Sequence, residues 1–142
     1  MRFMVMVKTD ARSEAGTPPS TAELDAMTKY NDELVKAGVM LDGNGLTSSA
    51  DGALVSFTDG VPTVIDGPFA EAKELIAGYW LLEVKSREEA IEWIKRVPAG
   101  AEADFEIEIR PLYEPDDFGP AYTEKIRERQ ERTAEMIAEK RG

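Results

Sequence analysis

Neither cysteine nor histidine occurs anywhere in this 142-residue chain, and the two absences remove much of the usual chemistry of small proteins. Without cysteine there is no disulfide, no thiolate nucleophile and no Cys-ligated zinc or iron–sulfur centre. Without histidine the commonest general base and the commonest transition-metal ligand are both missing. Positive charge is scarce too: 17 Lys and Arg stand against 28 Asp and Glu, a net charge of −11. That sign repels phosphate backbones and anionic lipid, and no cluster of Lys and Arg with interleaved aromatics offsets it. Neither a nucleic acid nor a membrane is expected as partner. Long apolar runs are also lacking. The opening "MRFMVMVKTD" holds a five-residue run before Lys8, too short for a signal segment or a membrane span, and a cytoplasmic location is expected. Any catalysis falls to carboxylates, lysine, tyrosine, hydroxyls or backbone amides, and no metal or cofactor is expected.

What is present suffices for a packed core, since 42% of residues are apolar and a chain of this length buries about two-thirds of its unfolded surface. Phe3, Val5 and Val7 alternate with Met4, Met6 and Lys8, the period of a strand. "TDARSEAGTPPS" reads as a loop. Ser20 with Glu23 makes a capping box, and Leu24, Met27, Asn31, Leu34 and Val35 follow helical spacing as far as Gly38. "VMLDGNGL" reads as a short strand entering a turn at Asp42–Gly45. "ALVSFT", Asp59-Gly60 and "TVID" read as a hairpin whose ladder Pro62 limits. "AGYWLLEV" is a further strand. Ser86 with Glu89 opens a second helix with Ala90, Ile91, Ile94 and Val97 inward, and "DFEIEIR" is a final strand. The order β-α-β-β-β-β-α-β predicts an α+β fold: a ferredoxin-like plait, its antiparallel sheet covered on one face by two helices. Residues 115–142 change composition. A turn-rich linker leads into the charged helix of "TEKIRERQERTAEMIAEKRG", too polar to be held by burial along its length.

Strand parity divides the sheet. Phe105, Ile107 and Ile109 share one face of the last strand, and Glu106, Glu108 and Arg110 the other. Trp80 and Leu82 oppose Tyr79 and Leu81. The apolar set is expected to meet the helices. The other set mixes Met, Leu and Tyr with Lys8, Glu106, Glu108 and Arg110, too apolar for water and too charged for an interior. Two copies are expected to cover it together as a homodimer enclosing a partly polar cleft. The plain alternative is a solvated face with scattered Met and Leu.

The phrase "TVIDGPFAEAKELIAGYW" is the most distinctive in the chain. As structure, Gly67 and Pro68 shape a strand exit, Asp66 bonds nearby amides, Phe69 plugs the core and "AEAKE" makes one helical turn. As chemistry, Asp66, Glu71, Lys73 and Glu74 line a pocket mouth with Tyr79. Asp66 is then the general base, and Lys73 pairs with an anionic substrate or steadies an enolate. "DGNG" lacks the ligand run of a calcium loop and reads as a turn.

Through "DGPFAEAKELIAGYWLLEV", "AIEWIKRVP" and "EIEIRPLYE", residues 1–114 resemble the YCII-related, or DGPF-domain, family of small bacterial proteins. The resemblance implies a dimeric α/β-barrel fold, similar to muconolactone isomerases and antibiotic-biosynthesis monooxygenases, with a cleft near the dimer interface. Better-studied relatives carry a His–Asp pair proposed as catalytic; with no histidine, this chain does not carry it. Members of the DGPF branch are often encoded near extracytoplasmic-function sigma factors. The expectation is a YCII domain at 1–114 with a helical extension at 115–142, binding an unknown small molecule as a homodimer with weak carboxylate-based activity. The rival expectation is a regulatory interaction module whose partner is a sigma factor.

Overall fold

The computed structural model describes residues 1–69, 74–100 and 104–141. The chain forms two compact units, Met1–Pro111 and Leu112–Gly142. The first is a mixed α+β unit in the order β1 (Arg2–Lys8), α1 (Ala11–Glu14), α2 (Thr21–Lys36), β2 (Met40–Gly45), β3 (Ala53–Thr58), β4 (Val61–Asp66), β5 (Ile76–Glu83), α3 (Arg87–Ile94) and β6 (Ile107–Pro111). A four-stranded sheet runs β2-β5-β1-β6, and β3 with β4 makes a separate two-stranded sheet. Every pairing is antiparallel, and neither sheet closes into a barrel.

Both serine caps form where the spacing places them, whereas the glutamate side chains bond elsewhere, Glu23 to the Ser20 hydroxyl and Glu89 to the Lys85 N–H. The Ser20 hydroxyl accepts the Glu23 N–H, and the Ser86 hydroxyl accepts that of Glu89. The α2 terminus is a Schellman turn: Gly38, at φ +73°, donates to the Val35 carbonyl, and Val39 donates to Leu34. Leu34 and Val39 then both enter the core. That core joins Phe3, Val5, Trp80 and Leu82 of the sheet to Tyr30 and Leu34 of α2 and Ala90 and Ile94 of α3. One face of the sheet thus carries both helices.

Four local expectations are corrected. Asp10 accepts the Ser13 N–H at 2.7 Å and caps the short helix α1 where a plain loop was expected. The "DGNG" segment is strand rather than turn, since β2 stays paired with β5 through Gly45. On α2 the core is met by Tyr30, whereas Leu24 and Val35 are exposed; the inward stripe is rotated from the one that aliphatic spacing suggests. The last strand begins at Ile107 rather than Asp104.

In the second unit a 3-10 segment, Pro115–Ala121, precedes α4 (Glu124–Arg141). Tyr113, Phe118 and Tyr122 stack at 4.7 and 5.3 Å, with the Arg127 guanidinium 5.1 Å from the Tyr122 ring. No α4 residue is buried.

Tyr30 ties the two helices together, donating its hydroxyl to the Trp93 carbonyl at 2.6 Å. Burial pushes its pKa up to about 12, whereas an unfolded tyrosine titrates near pH ~10. Its contribution to stability is full below pH ~10 and is lost as pH rises through about 12. Tyr30→Phe should cost about 1 kcal/mol at neutral pH. Urea melts between pH 8 and 12 should show wild-type stability falling across the upper part of that range and a flatter profile for the variant.

Candidate functional site

On the face of the four-stranded sheet opposite α2 and α3, helix-free in the sense that neither lies on it, register sets side chains in rows. One row reads Asn44, Tyr79, Met6, Glu108, and the next reads Asp42, Leu81, Met4, Arg110. A bulge between Met40 and Asp42 resets parity so that Asp42 falls on this face. The Tyr79 hydroxyl donates to Asp42 Oδ2 at 3.1 Å and accepts from Asn44 Nδ2 at 3.1 Å. The other Asp42 oxygen accepts the Gly43 N–H at 2.9 Å. Across the sheet Lys8 Nζ lies 3.2 Å and Arg110 Nε 3.7 Å from the Glu108 carboxylate. Half-buried Met4, Met6 and Leu81 form the floor between the two polar groups. The result is an apolar strip with a carboxylate–phenol–amide network on one side and a balanced charge cluster on the other.

Tyr79, Lys8, Glu108 and Arg110 from the expected set are therefore gathered on one face. Glu106 is exposed, and its backbone carbonyl accepts the Lys8 N–H at 2.9 Å. Glu74 is exposed. Glu71 and Lys73, with the helical turn expected around them, lie outside the described residues. Asp66 is exposed at the end of β4, opposite Ala53 in the separate hairpin sheet.

The phrase around Asp66 has a mechanical role. Gly67 donates to the Gly52 carbonyl at 3.0 Å, and the Phe69 N–H reaches the Ser49 hydroxyl at 2.9 Å. That hydroxyl in turn donates to the Glu14 carboxylate, which also accepts the Ser49 N–H at 3.3 Å. A Cβ on Gly67 would lie 1.6 Å from the Ser49 carbonyl oxygen, so only glycine fits. Phe69 is half-buried and is not among the residues of the main core.

Asp42 and Asn44 were read from sequence only as turn residues, and Ser49 and Glu14 were not singled out. The signal for the first two was available: continuing the period of two through "LDGNG" puts Asp42 and Asn44 on one face and the two glycines on the other.

The opposite side of the β2–β5 edge holds a cavity of about 380 Å³ walled by Val7, Met27, Asn31, Gly43, Gly78 and Trp80, among others. Asn31 Oδ1 accepts the Trp80 indole N–H at 2.8 Å. A more polar cavity of about 480 Å³ opens beside α1, with Asp10, Arg12, Glu23 and Asp51 among its walls. There the Arg12 hydrogen bond holds the Glu23 carboxyl below its ordinary range, and the Ser13 N–H does the same for Asp10. Among the described residues no group of three or more acidic side chains is placed to hold a metal ion, and no helix is long and apolar enough to cross a membrane.

An α+β unit with an antiparallel sheet, helices on one face and a Gly67-clamped hairpin defines the class of domain. The chain belongs to the YCII-related domain family, whose match covers residues 1–114. It is also similar to an uncharacterized protein of Rhizobium meliloti (strain 1021), with 31% identity over 86 residues, spanning 59% of this chain and 69% of that protein.

Gly67→Ala should lower stability by about 1–3 kcal/mol, the range for forcing atoms into filled space. Asp66→Asn, on an exposed side chain, should change it by less than about 0.5 kcal/mol. Urea melts of the two variants separate a backbone clamp from a carboxylate role in folding.

Proposed function

We propose that this protein is a homodimeric small-molecule-binding protein whose ligand lies on the helix-free sheet face, between two copies. The observation that carries the reading is the Asp42–Tyr79–Asn44 network set across Met4, Met6 and Leu81 from the Lys8–Glu108–Arg110 cluster. Strand order β2-β5-β1-β6 with both helices on one face supports a ferredoxin-like plait, and the uncovered face supports pairing with a second sheet. The fitting ligand is a small molecule with an apolar body, one end taking a hydrogen bond from the Tyr79 or Asn44 side and the other bearing charge toward Lys8 and Arg110. Any weak carboxylate-based activity falls in this reading to Asp42, which already accepts a hydrogen bond from the Tyr79 hydroxyl, rather than to Asp66 on the hairpin.

A thermal-shift screen of small organic acids and phenols tests it. A molecule that raises the melting temperature of wild type should do so at least about tenfold more weakly on Tyr79→Phe and Asp42→Asn, a loss of about 1.4 kcal/mol. Met6→Glu should lower the sedimenting mass by placing a charge on the paired faces. Unchanged ligand shifts in Tyr79→Phe and Asp42→Asn, or an unchanged mass in Met6→Glu, would remove the reading.

A second reading rests on α4, where no residue is buried and Met136 and Ile137 are exposed. It makes the C-terminal unit an interaction module for a protein such as a sigma factor. Six basic and five acidic residues between Glu124 and Arg141 leave this helix nearly neutral, so recognition would run through its apolar pair. Replacing both Met136 and Ile137 with Asp should abolish co-purification with a co-expressed sigma factor; equal recovery would count against the module.

A further inference from the structure

The hairpin β3–β4 meets none of the usual conditions for a free-standing structure. Its large apolar residues, Leu54, Val55, Phe57, Val61, Val64 and Ile65, are all exposed, Phe57 by 70%. They occupy both faces: Leu54 pairs with Ile65 on one, Val55 with Val64 on the other. Two-stranded hairpins are marginal in water unless something covers or extends them. Among the described residues no further strand pairs with either edge.

The two edges are unequal. The turn places Asp59 at φ 51° and Gly60 at φ 79°, the mirror-type turn that closes a two-residue hairpin. The bond from the Gly67 N–H to the Gly52 carbonyl then sets the alternation along the ladder. Pairs 54/65, 56/63 and 58/61 share its parity and exchange hydrogen bonds inward, whereas 53/66, 55/64 and 57/62 turn their backbone groups outward. On β4 one of those outward positions is Pro62, which has no N–H to offer. Proline at such a place is a familiar guard against edge pairing. The β3 edge carries no guard: Ala53, Val55 and Phe57 all direct a donor and an acceptor outward.

We propose that two copies of the chain join along β3, antiparallel about a two-fold axis at Val55, to make a four-stranded intermolecular sheet. The register centred on Val55 lets all three outward-facing residues of each strand bond, with Val55 opposite Val55 and Ala53 opposite Phe57. Small alanine beside large phenylalanine gives the pair room on a shared face. Charge points to a second copy rather than to a basic partner. The whole chain carries −11, yet the hairpin from Ala53 to Asp66 holds two charged residues, Asp59 at its tip and Asp66 at the end of β4. In this register the two Asp59 tips lie about 27 Å apart, at ~3.4 Å per residue, beyond a Debye length at physiological salt. The contact is separate from the helix-free face, and chains that use both assemble beyond the dimer.

Val55→Pro removes an outward N–H without touching the intrachain ladder, and Val64→Pro does the same on the guarded edge. In sedimentation equilibrium at micromolar concentration, Val64→Pro should keep the wild-type mass and Val55→Pro should show half of it. A second measurement uses the absence of native cysteine. Val55→Cys should form a covalent dimer under mild oxidation, because directly bonded antiparallel partners lie ~5.5 Å apart between Cα atoms, within disulfide reach; Val64→Cys should not. If Val55→Pro fails to fold, the cysteine pair decides alone. A Val55→Pro protein of wild-type mass, or a Val55→Cys protein that cross-links no more than Val64→Cys, would overturn the proposal. Met6→Glu acts on the other face, so the failure of either interface is read separately.

Discussion

Much of this structure depends on how Trp80 is accommodated. Its ring meets the edge of Tyr30 at 5.8 Å between centroids, and its indole N–H is taken by Asn31. Both partners come from α2, so the tryptophan sets that helix against the sheet. Across the strand the ring leaves no room for a side chain: a Cβ on Gly43 would lie 2.9 Å from Trp80 Cδ1 and 2.7 Å from Met40 Cε. Glycine in β2 is weak as strand chemistry but required by this contact. Because Gly43 takes the inward position, Asp42 and Asn44 must take the outward ones, where Tyr79 meets both. One buried aromatic thereby places a hydrogen-bond network on the far side of the same sheet.

A comparable constraint governs the hairpin base. Ser49 stands between Glu14 and Phe69, and its carbonyl closes the space beside Gly67. Three segments distant in sequence meet there through backbone and side-chain bonds rather than through apolar burial. The Asp66–Phe69 phrase thus has a structural reason for its glycine, which answers a steric demand.

The sequence was legible where periodicity and caps agree. Phe3, Val5, Trp80 and Leu82 fell on the covered face by parity alone, and Ser20 and Ser86 marked helix starts to within a residue. Legibility failed where a tertiary contact overrode local preference. "DGNG" is turn chemistry in isolation, and its pairing with β5, with Gly43 opposite Trp80, holds it in a strand. Tyr30 displaced Leu24 and Val35 from the core side of α2 because an aromatic with a hydroxyl reaches both Trp80 and the Trp93 carbonyl. Of the candidate site, Tyr79, Lys8, Glu108 and Arg110 were readable from alternation. Asp42 and Asn44 were hidden by the glycines beside them, and the Ser49–Glu14 contact left no local signal.

The charge of −11 bears on how such a chain can assemble. Like-charged copies repel, so contact is least opposed where charge is low or locally cancelled. The helix-free face meets that condition by compensation: Glu108 stands between Lys8 and Arg110, and Asp42 is hydrogen-bonded on both oxygens. The hairpin comes close to it by omission, with Asp59 at its tip and Asp66 at the end of β4 as its two charges. Partly exposed pairs of the Lys8–Glu108 kind add about 1 kcal/mol or less to a fold, so their cancellation of charge on a half-apolar surface has more consequence than their strength. Compensated carboxylates on one surface and few charges on the other leave both less opposed to contact with a like-charged copy than the rest of the molecule.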